Sequence, residues 1–399
     1  MGMNLEKDIV QLGAVFEKKL IEIRRYLHQN PELGYEEHLT SALIIRELEQ
    51  LEGIEIIKGL GKGTGVLGVL RGSKPGKTIL LRADMDALPI EEKTDLAYSS
   101  LIKGCMHACG HDVHITWLLG AAMILSQLRT HIKGTVKFLF QPAEEVGGSC
   151  HLIEDPRVLH HPEVESVFAA HAWPSMEVGT VGIAEKYAFG AVKNFKIEIL
   201  GKGGHGSWPN KAIDPIAVAN VVYTAIQQII SRQINPIEPR VLSIGSIHAG
   251  PLDKGNIIPD VCTMIGTIRA TKSDVIQEME RSIKALSEHI SQGFNASCRV
   301  EFNHGLSPVV NDANLIQDVF HSFSKILGEK NVYLIKEPNL GGEDFSLFTE
   351  KKPGVYFFVG ASSKENIEKN TLHSPTLVLD EKVIIQGATL FAMLSLDLK

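Results

Sequence analysis

The stretch GTVKFLFQPAEE (134–145) decides the fold. GTVKFLF (134–140) is a short apolar run bounded by turn residues, which reads as a buried strand. It runs through a proline into a pair of carboxylates, Glu144 and Glu145. The same plan recurs along the chain. KTILLRADMD (77–86) is a strand ending in Asp84 and Asp86, and SVFAAHAW (166–173) is one ending in His171. GVYFFVGA (354–361) is a strand followed, after a loop, by His373. TGVLGVL (64–70) reads as another strand. Helical spacing falls at 5–29, 38–51, 311–327 and 380–396, and the run from His111 to Leu128 is apolar almost all round, as in a buried helix. Helix and strand in alternation predict an α/β sandwich, with helices on both faces of a mostly parallel sheet. Sheets of this kind place ligands at the carboxyl ends of their strands.

The middle of the chain follows another rule. A strand over 195–200 is followed by a helix that Asp214 caps and Pro215 opens. Strands follow at VLSIGSI (241–247) and VCTMIGTIRA (261–270). Asp274 and Gln277 then suggest a capping box for a helix ending at Gly293, and CRVEF (298–302) closes the series. Strand, helix, strand, strand, helix, strand is the ferredoxin-like order. The reading is therefore a discontinuous first domain, 1–188 and 305–399, interrupted by a second α+β domain at 189–304.

The 399 residues suit such a pair of domains. An apolar share of 44% and a charged share of 22% exclude a disordered or supercharged chain. The net charge of −7 argues against a non-specific nucleic-acid binder. No apolar run is long enough to span a bilayer, and MGMNLEKDIV (1–10) has no apolar signal core, so no membrane partner and a cytoplasmic location are expected. Five cysteines are an odd, sparse set that implies no disulfide framework.

The chemistry gathers at the strand ends and in GCMHACGHDVH (104–114). Taken singly, these residues are ordinary. A loop histidine is usually solvated, a Glu-Glu pair is usually a helix start, and Asp84 and Asp86 could merely cap a turn. Together they are the thiolate, imidazole and carboxylate donors that bind zinc and similar ions, and they outnumber what one tetrahedral ion needs. Adjacent residues at a strand end point apart, so of Glu144 and Glu145 one can bind metal while the other stays free as a general base. We assign Glu145 as ligand and Glu144 as base, though spacing alone does not decide between them. Asp86 is the candidate to orient a ligand histidine. The glycine-rich GLGKGTG (59–65) and GKGGHG (201–206) lack the phosphate-loop pattern, since each lysine is followed by glycine.

The segments LRADMDALPI, MHACGHDVH, QPAEEVGG, HAWP, GKGGHGSWP, GTIRA, GGEDFS and LHSPTL, in this order, resemble the metallopeptidase family of amidohydrolases. That family includes hippurate hydrolase, N-acyl-amino-acid amidohydrolases, auxin-conjugate hydrolases and N-acetyldiaminopimelate deacetylase. The resemblance implies a zinc-exopeptidase-like catalytic domain with an inserted ferredoxin-like lid that also dimerises. It carries over Cys109, His111, Glu145, His171 and His373 as ligands of two divalent ions (zinc, manganese, cobalt or nickel) and Glu144 as general base. It implies that His205 reaches a partner subunit's site to stabilise an oxyanion, and that Asn256 and Arg269 bind substrate. The activity implied is cleavage of the amide bond of N-acyl amino acids, a small-molecule substrate. A dipeptidase or carboxypeptidase is the nearest alternative, and a non-enzymatic metal-binding protein a remote one. HGSWPN departs from the commoner H-A-x-x-P-H and puts Trp208 beside the lid histidine. LHSP supplies one histidine where many members have two.

Overall fold

The computed structural model describes residues 5–398. The chain divides into two compact units, one of Met1–Ala188, Val310–Glu337 and Asp344–Lys399, the other of Phe189–Val309 and Pro338–Glu343. The smaller unit thus runs past residue 304 and takes in a short segment that the sequence pattern assigns to the larger one.

The larger unit is built on an eight-stranded sheet, in the order Ile54–Leu60, Gly65–Arg71, Lys133–Gln141, Lys74–Asp84, Ser166–Glu177, Gly354–Ser362, Val181–Ala184, Val332–Ile335. The four central strands are parallel to one another. Antiparallel pairs flank them on both sides, and Val181–Ala184 pairs parallel with Val332–Ile335, so the sheet is mixed with parallel pairs in the majority, in line with the mostly parallel expectation. Ile54–Leu60, Val181–Ala184 and Val332–Ile335 escape the sequence reading because they are short or only partly apolar. The strand Lys133–Gln141 separates the two faces. Val136, Phe138 and Phe140 join the core formed with the long helices. Lys137 points the other way and reaches the short helix Pro156–Leu159. Helices therefore cover both faces. His111–Gln127 is buried along almost its whole length and packs against Leu5–Gln29 and Lys382–Asp397. A Cβ on Gly120 would stand 2.6 Å from the Ala388 side chain, so the close approach of these helices needs glycine there.

The smaller unit has four antiparallel strands in the order Arg240–Ala249, Val261–Ala270, Ala191–Leu200, Ser297–Phe302. Helices Pro215–Gln228 and Ser273–Gly293 bury Val222, Ile226, Met279 and Ile283 against Ile197, Ile199 and Met264. Asp214 caps the first helix, accepting from the Ile216 N–H at 2.9 Å. The expected capping box at the second is absent. That helix already begins at Ser273, so Asp274 lies inside its first turn and bonds the neighbouring Val275 N–H instead.

Candidate metal centre

The larger unit brings Cys109, His111, Glu145, His171 and His373 together from four segments. Three overlapping groups have ligand atoms within 4.8 Å of one another: Cys109, His111 and His171; Cys109, Glu145 and His373; and His111, Glu144 and Glu145. Left-handed backbone turns hold three of these segments. Gly110 (φ 83°) sits between Cys109 and His111 and opens the buried helix. A Cβ there would meet Leu379 at 2.8 Å, so the turn that aims both neighbours needs glycine. Ala143 (φ 59°) and His373 (φ 60°) are not glycines, and strained non-glycine residues of this kind cluster at functional sites. The His373 N–H donates to the Ala108 carbonyl at 2.8 Å, tying its loop to the cysteine loop.

Two positions differ from the sequence reading. Glu144 and Glu145 do not end the strand. The strand stops at Gln141, and the two glutamates form a 3₁₀ turn after Ala143. Their division therefore comes from that turn and not from strand alternation. Asp86 caps the turn, accepting from the Glu144 N–H at 2.9 Å and the Glu145 N–H at 3.0 Å. His171, in turn, lies within its strand, which runs on to Glu177 paired with Gly354–Ser362.

Hydrogen bonding fixes one ligand tautomer. His171 Nδ1 lies 2.9 Å from the Ala172 carbonyl, which can only accept, so Nδ1 carries the proton. The bare Nε2 then faces Cys109 Sγ at 3.4 Å. His111 is 1% exposed, yet neither ring nitrogen makes a well-aligned hydrogen bond. Its nearest charges are Asp86 at 3.4 Å and Asp84 at 3.7 Å. A buried cluster of thiol, imidazole and carboxylate with such poorly aligned internal bonds suits a divalent cation. His114 and Asp84 are different. His114 bonds Asp84 at 2.6 Å and accepts the Ala172 N–H at 2.8 Å, so both its nitrogens are used.

The charges reflect the same crowding. Burial alone would lower the basicity of His111, but Asp84 and Cys109 outweigh it and raise its pKa well above the usual imidazole range. His373 is pushed up to about 10 by its bonds to Cys109 and Glu145. Burial raises the Cys109 thiol and keeps His171 neutral. Glu145 is lowered despite burial, chiefly by His373. Asp84 stays ionised against burial because His111, His114 and Arg82 face it.

In the smaller unit, His205 and Asn256 are brought together. The ribbon Gly204–His205 pairs with Ile257–Ile258, and the Asn256 carbonyl accepts the Gly206 N–H at 2.8 Å. Both residues are exposed. His205 Nδ1 accepts the Ser207 N–H at 3.1 Å, which leaves Nε2 as the ring's donor. Arg269 is not with them. It lies at the far end of the strand Val261–Ala270, about 26 Å along at strand rise, where it donates to the Leu340 carbonyl at 3.0 Å.

A family model described as Peptidase family M20/M25/M40 matches residues 80–397. The chain is 40% identical over 396 residues to thermostable carboxypeptidase 2 of Saccharolobus solfataricus, covering 98% of this chain and 97% of the relative. It is 37% identical over 380 residues to N-acetylcysteine deacetylase of Bacillus subtilis, covering 95% and 97%. A solved structure from Bacillus subtilis, a dinuclear metal-binding peptidase of the M20 family, aligns with a TM-score of 0.80 at 34% identity, covering 96% of this chain and 98% of that one.

Proposed function

Because the chain belongs to peptidase family M20/M25/M40 and is a metal-dependent hydrolase, we propose that it is a two-metal amidohydrolase releasing free amino acids from N-acyl amino acids. The observation that carries this reading is the buried cluster around His111, in which overlapping groups of thiol, imidazole and carboxylate atoms lie within 4.8 Å of one another. Cys109, His111 and His171 would hold one divalent ion. Cys109, Glu145 and His373 would hold the other. Zinc, manganese, cobalt and nickel all suit these donors. The ions would supply Lewis acidity toward the amide carbonyl and an acidified water.

The remaining work falls to side chains. Glu144, held by the Asp86-capped turn, takes the proton from the attacking water and returns it to the leaving amine. Asp86 also faces His111 and orients it. His205 donates from Nε2 to the developing oxyanion. Arg269 binds the substrate carboxylate. His205 and Asn256 stand at the opposite end of their sheet from Arg269, which favours contributions from two copies of the chain to each site. The strand Arg240–Ala249 is an edge strand with Ile247 54% exposed, and a second copy covering it would form the dimer. No helix among the described residues is long and apolar enough to cross a membrane, and the five cysteines are free. A thiol ligand that must stay reduced supports a cytoplasmic setting.

A panel of N-acetyl, N-benzoyl and dipeptide substrates, assayed with each metal restored, tests the substrate class. Faster cleavage of dipeptides than of every N-acyl amino acid would favour the peptidase reading, which the 40% identity to a carboxypeptidase keeps open. Mixing inactive Glu144→Gln with inactive His205→Ala subunits tests the shared site. Recovery of activity is expected on exchange, and its absence would count against the shared site.

A further inference from the structure

His114 has no part in the chemistry just described, yet it is 1% exposed and touches the metal centre. The central strands explain its place. Lys74–Asp84 pairs with Ser166–Glu177 from Ile79 opposite Ser166 to Arg82 opposite Ala169, and there the pairing stops. Ala172 is therefore left on that side without a strand partner, and its N–H donates to His114 Nε2 at 2.8 Å. A side chain continues the ladder where the sheet opens.

The tautomer follows from the donors. A backbone N–H can only donate, so Nε2 is bare and the His114 proton lies on Nδ1, directed at Asp84 Oδ1 2.6 Å away. Asp84 is itself anchored through its other oxygen by Arg82 at 2.7 Å. Arg82 bonds Asp344 at 3.0 Å and Gln141 at 2.9 Å. The His114 ring is further fixed by stacking on Trp117 at 5.0 Å, and it meets His171 edge-on at 4.6 Å.

We propose that His114 is a positioning residue for the metal centre. It holds the Ala172 backbone by its N–H, and the carbonyl of that same residue accepts from Nδ1 of His171. His114 thus holds the residue whose carbonyl sets the His171 tautomer and leaves Nε2 free as a ligand. The chain Arg82, Asp84, His114, Ala172, His171 transmits the lock from the strand ends to the ion. This inference rests on the two-metal reading.

Two substitutions separate the halves of the lock. His114→Asn places an amide where Nδ1 sits, keeping a donor for Asp84 but losing the acceptor for Ala172. His114→Gln places an oxygen where Nε2 sits, keeping the acceptor. The experiment is calorimetric titration of metal-stripped protein with cobalt(II), together with the cobalt–thiolate absorption. His114→Asn should weaken one of two binding events by about 10–100-fold, the usual effect of removing support from a ligand histidine, and shift the absorption. His114→Gln should stay within about threefold of wild type. Equal affinities in the Asn and Gln variants would overturn the proposal, as would wild-type affinity in His114→Asn. Wild-type protein that takes up no cobalt would instead overturn the two-metal reading, so the two failures are distinguishable.

Discussion

One strand serves two buried gatherings of lone pairs, and they are completed in opposite ways. Midway along Lys133–Gln141, the Lys137 ammonium is fully buried and donates to the carbonyls of Arg157, Val158 and Pro162 at 2.9, 2.9 and 2.8 Å. Just past the end of that strand, Glu144 and Glu145 join Cys109, His111, His171 and His373, where thiol, imidazole and carboxylate crowd together. At the first place the chain carries its own cation. At the second it gathers side chains that can ligate one. Acceptors around a covalently held charge stabilise the fold, whereas ligand atoms of three chemical kinds converging within 4.8 Å of one another are arranged for something from solution.

The contrast breaks most visibly at Glu144. Glu144→Gln should lower kcat by a factor of about 10² to 10⁴ and leave metal content unchanged. Loss of metal alongside activity would make Glu144 a ligand and not a base. Next comes the cysteine common to both triads. Cys109→Ala should bring metal stoichiometry below that of His373→Ala, which removes a donor from only one triad. Elemental analysis of the two proteins decides this, and equal stoichiometries would remove Cys109 from its shared place.

At the closed cluster the effects should fall on stability. Lys137→Met leaves three buried carbonyls without their donor and should destabilise the protein by on the order of 3 kcal/mol, read from denaturant unfolding, with metal uptake intact. An unchanged midpoint would erase the distinction between the two clusters. An effect of similar size is in pH. Burial brings the Lys137 pKa down to about 8. Between about pH 8 and the unfolded value near 10.4, the unfolded chain binds more protons than the folded one. Stability should therefore rise with pH across that window, and the rise should be missing in Lys137→Met.

Much of this was readable before the structure, for physical reasons that differ by residue. The central strands announce themselves because they are buried on both faces and so are continuously apolar, as in KTILLRA and GVYFFVG. The segments carrying the candidate ligands stand out because thiol, imidazole and carboxylate are costly to bury together without a cation. Neither pattern encodes the backbone turns. Ala143 in the left-handed region has no side-chain signature, so the sequence pattern alone places the glutamates at a strand end. Ser273 opens its helix one residue before the aspartate expected to cap it. The service of His114 to a backbone N–H depends on where two strands part, and spacing does not reveal that.

The central claim is that the cluster around His111 holds two ions that amide hydrolysis requires. The most direct measurement is a titration of metal-stripped protein with zinc or manganese, following bound metal by elemental analysis and N-acetyl amino acid hydrolysis in the same samples. The expected result is no turnover in the stripped protein, with activity returning as occupancy approaches two ions per chain. Hydrolysis at the full rate without metal, or saturation with no ion bound, would contradict it.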